Sequence, residues 1–176
     1  MSELLLDVSQ MREAHARVER TVPGDALAVE SELFRVSGPV SLAFDVRKDG
    51  QQYRLIGRVQ AALDMECSRC LAPFTLPVDE PFDVLYLPHS EHQTEGEVEI
   101  EDDDLTTAFY SDQAIDLGQL MLEQFFMAAP MKPLCTDECQ GLCPMCGTNR
   151  NAGACSCAPV WVDPRLAVLE KLKKDT

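Results

Sequence analysis

From Val40 onward, apolar and polar residues alternate with a period of two. Val40, Leu42, Phe44 and Val46 lead into Lys48-Asp49-Gly50, and Tyr53, Leu55, Gly57, Val59, Ala61 and Leu63 resume the pattern beyond it. Successive side chains of a strand point to opposite faces, so this stretch predicts two antiparallel strands with one wet face, joined by a hairpin turn. A further run, Phe74, Leu76 and Val78, then Phe82, Val84 and Tyr86, keeps the period as far as Pro88. Upstream, Leu4 to Val8 reads as a short strand, and Ser9 to Arg20 as a polar helix with a serine cap and a weak apolar face. Beyond Pro23-Gly24 the pattern turns to strands, with partial alternation at Leu27, Val29 and Leu33.

The period changes at Asp116. Leu117, Leu120, Met121, Phe125 and Ala128 form a helical stripe, Asp116 and Gln119 are spaced as a capping-box-like pair, and Pro130 ends the segment. Phe126 and Met127 widen the apolar face, which predicts a helix well buried against the sheet; core packing explains the stripe without a cofactor. A last helix is expected from Asp163, with Pro164 first, Leu166, Leu169 and Leu172 packing, and Lys171, Lys173 and Lys174 suiting its C-terminal dipole. The fold class expected is α+β: an antiparallel β-meander or partly open barrel with a packed helix and a C-terminal cysteine-rich zinc segment. Residues 1–110 would make the β-rich core. Residues 111–176 would add the core helix, the zinc segment and the last helix, within one cooperative unit.

Eight cysteines stand in four close pairs: Cys67-x2-Cys70, Cys135-x3-Cys139, Cys143-x2-Cys146 and Cys155-x-Cys157. That is the arithmetic of two four-cysteine metal sites. Core thiols, disulfides, a redox dithiol and an iron–sulfur cluster are the competing readings. The flanking sequences Cys-Ser-Arg-Cys, Cys-Pro-Met-Cys-Gly and Cys-Ser-Cys are those of turns rather than of a core, which favours metal, with zinc ahead of iron–sulfur. The loop from Cys146 to Cys155 is short and rich in turn formers. Cys143, Cys146, Cys155 and Cys157 are therefore expected to form a local site, and Cys67, Cys70, Cys135 and Cys139 a long-range one; other groupings of the doublets are open on spacing alone.

A chain of 176 residues with 45% apolar composition can build a core. The first twenty residues show no secretory apolar stretch and no run is long enough to span a bilayer, so a cytoplasmic protein is expected, where thiols stay reduced. The formal charge is −15, from 30 acidic and 15 basic side chains, and a Zn2+ held by four thiolates carries about −2 more. Such a balance is poor for gripping phosphates and better for attracting a basic partner. Residues 91–104 form an acidic insert, with Val98 and Ile100 its apolar members, readable as an edge strand in a solvated loop or as a docking surface for a basic partner. His15, His89 and His92 have no partnering motif, so no catalytic residues are expected.

Several stretches taken together are more specific than any one doublet. They are Cys67-Ser-Arg-Cys70-Leu71-Ala-Pro-Phe74; Asp116-Leu-Gly118 opening a helix; Pro130-Met-Lys-Pro-Leu-Cys135; Gly141-Leu-Cys143-Pro-Met-Cys146-Gly147-Thr-Asn149; and Asp163-Pro-Arg-Leu166-Ala-Val-Leu169. In order and spacing they resemble the YceD family of large ribosomal RNA subunit accumulation proteins, over about residues 60 to 175. The resemblance implies a bacterial or plastid protein that supports accumulation of the large-subunit rRNA, through its processing or its assembly into the subunit, with no catalytic activity. The expected function is then a non-enzymatic ribosome-assembly factor binding a basic large-subunit ribosomal protein or a pre-ribosomal particle, with no membrane and no small-molecule substrate. One alternative is a zinc-ribbon module that contacts rRNA directly through Arg69, Lys132 and Arg150. The other is a thiol oxidoreductase using Cys67-x2-Cys70 or Cys143-x2-Cys146, which lacks a surrounding βαβ pattern.

Overall fold

The structure, a computed structural model, describes residues 4–27, 31–89 and 106–157. The acidic insert at 91–104, the position Val29 and the helix expected from Asp163 lie outside the described residues. Within them are seven strands: β1 (Leu5–Asp7), β2 (His15–Pro23), β3 (Arg35–Asp49), β4 (Gln52–Glu66), β5 (Pro73–Pro88), β6 (Thr107–Tyr110) and β7 (Ala114–Asp116), with a short 3-10 helix at Gly24–Leu27 between β2 and β3 and one α-helix, α1 (Leu117–Ala128), after β7. No helix among them is long and apolar enough to cross a membrane.

The period-two runs become β3, β4 and β5. Asp49 pairs with Gln52 across a turn in which Gly50 takes a φ of 60°, a conformation that costs glycine little. The sheet order is β2-β3-β4-β5-β6, antiparallel except that β6 runs parallel to β5, while β1 and β7 form a separate antiparallel pair. The sheet is not closed, so of the two expected architectures it is the meander. Its inner face carries Val40, Leu42, Phe44 and Val46 from β3, Leu55, Val59 and Leu63 from β4, and Phe82 and Tyr86 from β5. These share one buried core with Leu117, Leu120, Met121 and Phe125 of α1 and with Ile115 of β7.

Two expectations about helices are corrected. Residues 9–20 do not form a helix: His15 to Pro23 pair with β3 from His15↔Arg47 to Pro23↔Pro39, with Ala16, Val18, Arg20 and Val22 on the more buried side. Pairing with a long neighbouring strand overrides the helix propensity of an Arg-, Glu- and Ala-rich segment. In α1, Asp116 caps by accepting from the Gln119 backbone N–H at 3.0 Å, but the Gln119 side chain donates to Glu123 instead of returning to the cap. Phe126 and Met127 do not bury; they are 49% and 79% exposed, with the Phe126 ring centroid 5.1 Å from that of Phe34.

Gly57 sits at the centre of β4, paired with Phe44 on one side and Phe82 on the other, and the two rings meet across it with centroids 6.2 Å apart. A Cβ there would collide with the Ala43 carbonyl oxygen and the Phe44 Cβ. Because the obstacles are backbone and core, Gly57→Ala is expected to destabilise the protein by about 2–3 kcal/mol, read as a lower Tm in thermal unfolding; an unchanged Tm would contradict this packing.

Candidate metal centres

Two turns of the same construction present the first cysteines of each set. At the junction of β4 and β5, the Cys67 N–H donates to the Ala72 carbonyl at 3.0 Å and the Leu71 N–H to the Cys67 carbonyl at 2.9 Å. In the C-terminal segment, the Cys143 N–H donates to the Thr148 carbonyl and the Gly147 N–H to the Cys143 carbonyl, both at 2.8 Å. The residue after the second cysteine is left-handed in both, Leu71 with φ 57° and Gly147 with φ 72°. Each knuckle thus turns two sulfurs to one side and several N–H groups toward them.

The segment after α1 returns to the first knuckle. Ser68 N–H donates to the Pro133 carbonyl at 2.9 Å, Leu142 N–H to the Arg69 carbonyl at 3.1 Å, and Arg69 Nη1 to the Cys139 carbonyl at 2.9 Å. These bonds bring Cys135 and Cys139 over Cys67 and Cys70, and the four sulfurs lie within 4.8 Å of one another. Cys67, Cys70 and Cys139 are buried in a small second core with Leu134 and Leu142, which Phe74 joins to the main one. Cys143, Cys146, Cys155 and Cys157 form the second set, also within 4.8 Å. The eight cysteines therefore gather in the grouping expected from the loop lengths.

The donor geometry suits one ion per set. Cys67 and Cys139 sulfurs are 3.7 Å apart, as are those of Cys70 and Cys135. A disulfide needs about 2.05 Å, whereas a tetrahedron with metal–sulfur bonds of about 2.3 Å has edges of about 3.8 Å. A multi-iron cluster divides its four thiolates among two or more irons, which spreads sulfurs on different irons beyond the edge of a single tetrahedron. Four soft sulfurs so spaced could hold a single zinc-like ion at the first set, and the four sulfurs within 4.8 Å of one another at the second could do the same.

The thiols within each set differ in acidity. Burial opposes ionisation of Cys67, but the backbone N–H groups of Cys135, Cys70 and Arg69 draw it down to about 6. Burial also works against the Cys139 thiolate, and the Asn151 side chain and Gly141 N–H hold it below the ordinary thiol range. Cys135 is pushed up to about 12 by burial and by its neighbouring thiols. In the second set the Thr148 hydroxyl and N–H bring Cys146 down to about 6, while Cys157 is pushed up to about 12 by Cys146 and by burial. Each set therefore mixes thiols that ionise readily with one that keeps its proton until a cation displaces it.

Among the other candidates, Arg69 is occupied within the fold by Cys139, and Lys132 and Arg150 lie exposed beside the two sets. Asn151, read from the sequence only as part of a loop of turn formers, donates from Nδ2 to Cys139 Sγ at 3.2 Å. The signal that could have found it is a polar amide close to a cysteine doublet.

A family model described as large ribosomal RNA subunit accumulation protein YceD matches residues 55–173, a span that includes all eight cysteines. Among curated proteins, an uncharacterized protein of Mycobacterium leprae is 28% identical over 134 residues, covering 75% of this chain and 59% of its own length. The chloroplastic large ribosomal RNA subunit accumulation protein YCED homolog 1 of Zea mays is 27% identical over 144 residues, 69% of this chain and 49% of its own. Uncharacterized protein YlbN of Bacillus subtilis is 27% identical over 176 residues, 99% of this chain and 97% of its own. The chain thus spans about half to three-fifths of the length of the first two and nearly all of the third. No solved structure matches.

Two predictions follow from the geometry of the sets. In reduced, metal-stripped protein at pH 7, iodoacetamide should label exposed Cys146 well ahead of Cys157. The thiolate is the nucleophile, so the Cys146 rate should rise with pH through about 6 and then level off. Peptide mass spectrometry showing equal labelling of the two would contradict the assigned environments. Separately, Cys67→Ser should lower Tm by roughly 5–10 °C and speed hydrogen exchange across residues 130–157, whereas Cys155→Ser should do so mainly across 143–157; the reverse ranking would overturn the tether.

Proposed function

The chain belongs to the YceD family of large ribosomal RNA subunit accumulation proteins, and on that premise we propose that it supports accumulation of the large-subunit rRNA as a zinc-stapled binding factor rather than as an enzyme. The observation that carries this reading is the composition of the two sets. With Cys67, Cys70, Cys135 and Cys139 around one zinc, and Cys143, Cys146, Cys155 and Cys157 around another, every ligand is a sulfur and no position is open for water or substrate. The ion supplies cross-linking there; the chain's residues supply the surface.

The charge of −15 favours a basic large-subunit ribosomal protein, alone or in a pre-ribosomal particle, as the partner. The outer face of the sheet supports this choice. Arg54 makes a bidentate pair with Asp83 at 2.7 Å, Arg58 pairs with Asp79 at 2.9 Å, and Arg17 with Glu19 at 3.0 Å. Guanidinium groups held by the protein's own carboxylates release few counterions to a phosphate backbone. Direct rRNA contact through the exposed Lys132 and Arg150 is the second reading, favoured by their position beside the cysteine sets. A dithiol oxidoreductase is disfavoured, because Cys67 and Cys70 are buried and because they, like Cys143 and the exposed Cys146, each belong to a set of four.

The acidic residues from Glu95 to Asp104 are the proposed protein contact. Changing them to amides should weaken capture of a basic large-subunit protein by about tenfold or more at low salt, with the difference shrinking as salt rises. Fold and zinc content should be unaffected. Equal binding by variant and parent, or cleavage of pure rRNA by the parent, would contradict the proposal; tight binding to naked rRNA with a steep salt slope would support the direct-contact reading instead.

A further inference from the structure

Asn151 lies between the two doublets of the second set, yet its side chain serves the first. Nδ2 donates to Cys139 Sγ at 3.2 Å and to Asn149 Oδ1 at 3.0 Å, and Oδ1 accepts from the Gln140 backbone N–H at 2.8 Å. The Asn151 N–H also donates to Asn149 Oδ1, at 2.9 Å. The amide thus has one orientation that satisfies its partners, and it is set by the loop that carries it. That loop is pressed against the first knuckle: Arg150 N–H donates to the Gly141 carbonyl at 2.9 Å, and Gly141, with φ 71°, has Arg69 so close that a Cβ would lie 3.0 Å from the Arg69 carbonyl oxygen.

We propose that Asn151 is a positioning residue that couples the two sets: metal at Cys143, Cys146, Cys155 and Cys157 fixes its loop, and the fixed amide raises the metal affinity of Cys67, Cys70, Cys135 and Cys139. This rests on the reading that both sets hold a metal. Four thiolates around one divalent ion leave excess negative charge on sulfur, and an N–H donor at Cys139 offsets it. When the second set is empty, the first must order the loop itself before gaining that donor, which lowers its affinity. The coupling is reciprocal, since filling the first set must favour the second by the same factor. The tether to the sheet then holds its metal most tightly when the small local site is intact.

The test uses 113Cd2+ as the probe, which gives one NMR resonance per set, in competition with a chelator. Disabling the second set with Cys155→Ser and Cys157→Ser should weaken binding at the first by about 10- to 100-fold, the range for lost outer-shell partners. Asn151→Ala, with the second set loaded, should weaken the first similarly, and the combined variant should fall no further. Asn151→Asp keeps the acceptor for Gln140 but lacks the donor; it should weaken the first set at least as much and shift that set's resonance while leaving the second's in place. It therefore decides the matter should Asn151→Ala disrupt the loop. Parent-like affinity of the first set in Asn151→Asp, no loss on disabling the second set, or losses that simply add would overturn the coupling alone. A parent protein taking up no cadmium at either set would overturn the metal reading and the coupling together.

Discussion

Cys70 and Cys135 are 65 positions apart in the chain, and their sulfurs stand 3.7 Å apart. The described residues C-terminal to α1 depend on that closure, because among them only Leu134, Leu142, Cys135 and Cys139 pack into the small second core. The gain in closing this loop over closing the twelve-residue span from Cys143 to Cys155 is about 1.5 kcal/mol, since loop entropy grows only with the logarithm of length. The greater effect is what the closure holds in place. The backbone bonds from Ser68 to Pro133 and from Leu142 to Arg69 cross the same junction, and Phe74 carries the junction's packing into the main core. The proposed metal cross-link, the backbone pairing and the core burial therefore reinforce one another at a single place.

The two knuckles solve one problem at different cost. Gly147 accepts a positive φ freely, whereas Leu71 adopts nearly the same conformation with a side chain that is 62% exposed. A leucine held left-handed at the surface costs of order 1 kcal/mol, and the rigid hairpin formed by β4 and β5 is what sustains it. Among the described residues no sheet lies beneath the second knuckle, and there the residue is glycine. This difference fits a division of labour in which the first knuckle anchors and the second organises the loop around Asn151.

Much of this was legible in the sequence because it follows from short-range rules. Strict alternation marked β3, β4 and β5, Lys48-Asp49-Gly50 marked their hairpin, and the aspartate before Leu117 marked the start of α1. The short, turn-rich loop between Cys146 and Cys155 favoured the grouping of the eight cysteines that the structure shows, although spacing alone left other groupings open. What could not be read was decided by distant partners. His15 to Pro23 is a strand because β3 extends far enough to pair with it. β6 lies parallel to β5 with no local signature. The Gln119 side chain chose Glu123 over its cap. Asn151 acquires its role only when the return of the chain brings Cys139 within reach.

On the proposed reading, in which each four-cysteine set holds one zinc purely as a cross-link, the working part is a surface rather than a reaction centre, which fits a family described as large ribosomal RNA subunit accumulation proteins. Zinc K-edge X-ray absorption on the reduced, purified protein tests that premise most directly. Two zincs per chain, each with four sulfurs at about 2.3 Å and no lighter atom in the first shell, is the expected result. Fewer than two zincs, or an oxygen or nitrogen in the coordination shell, would contradict it.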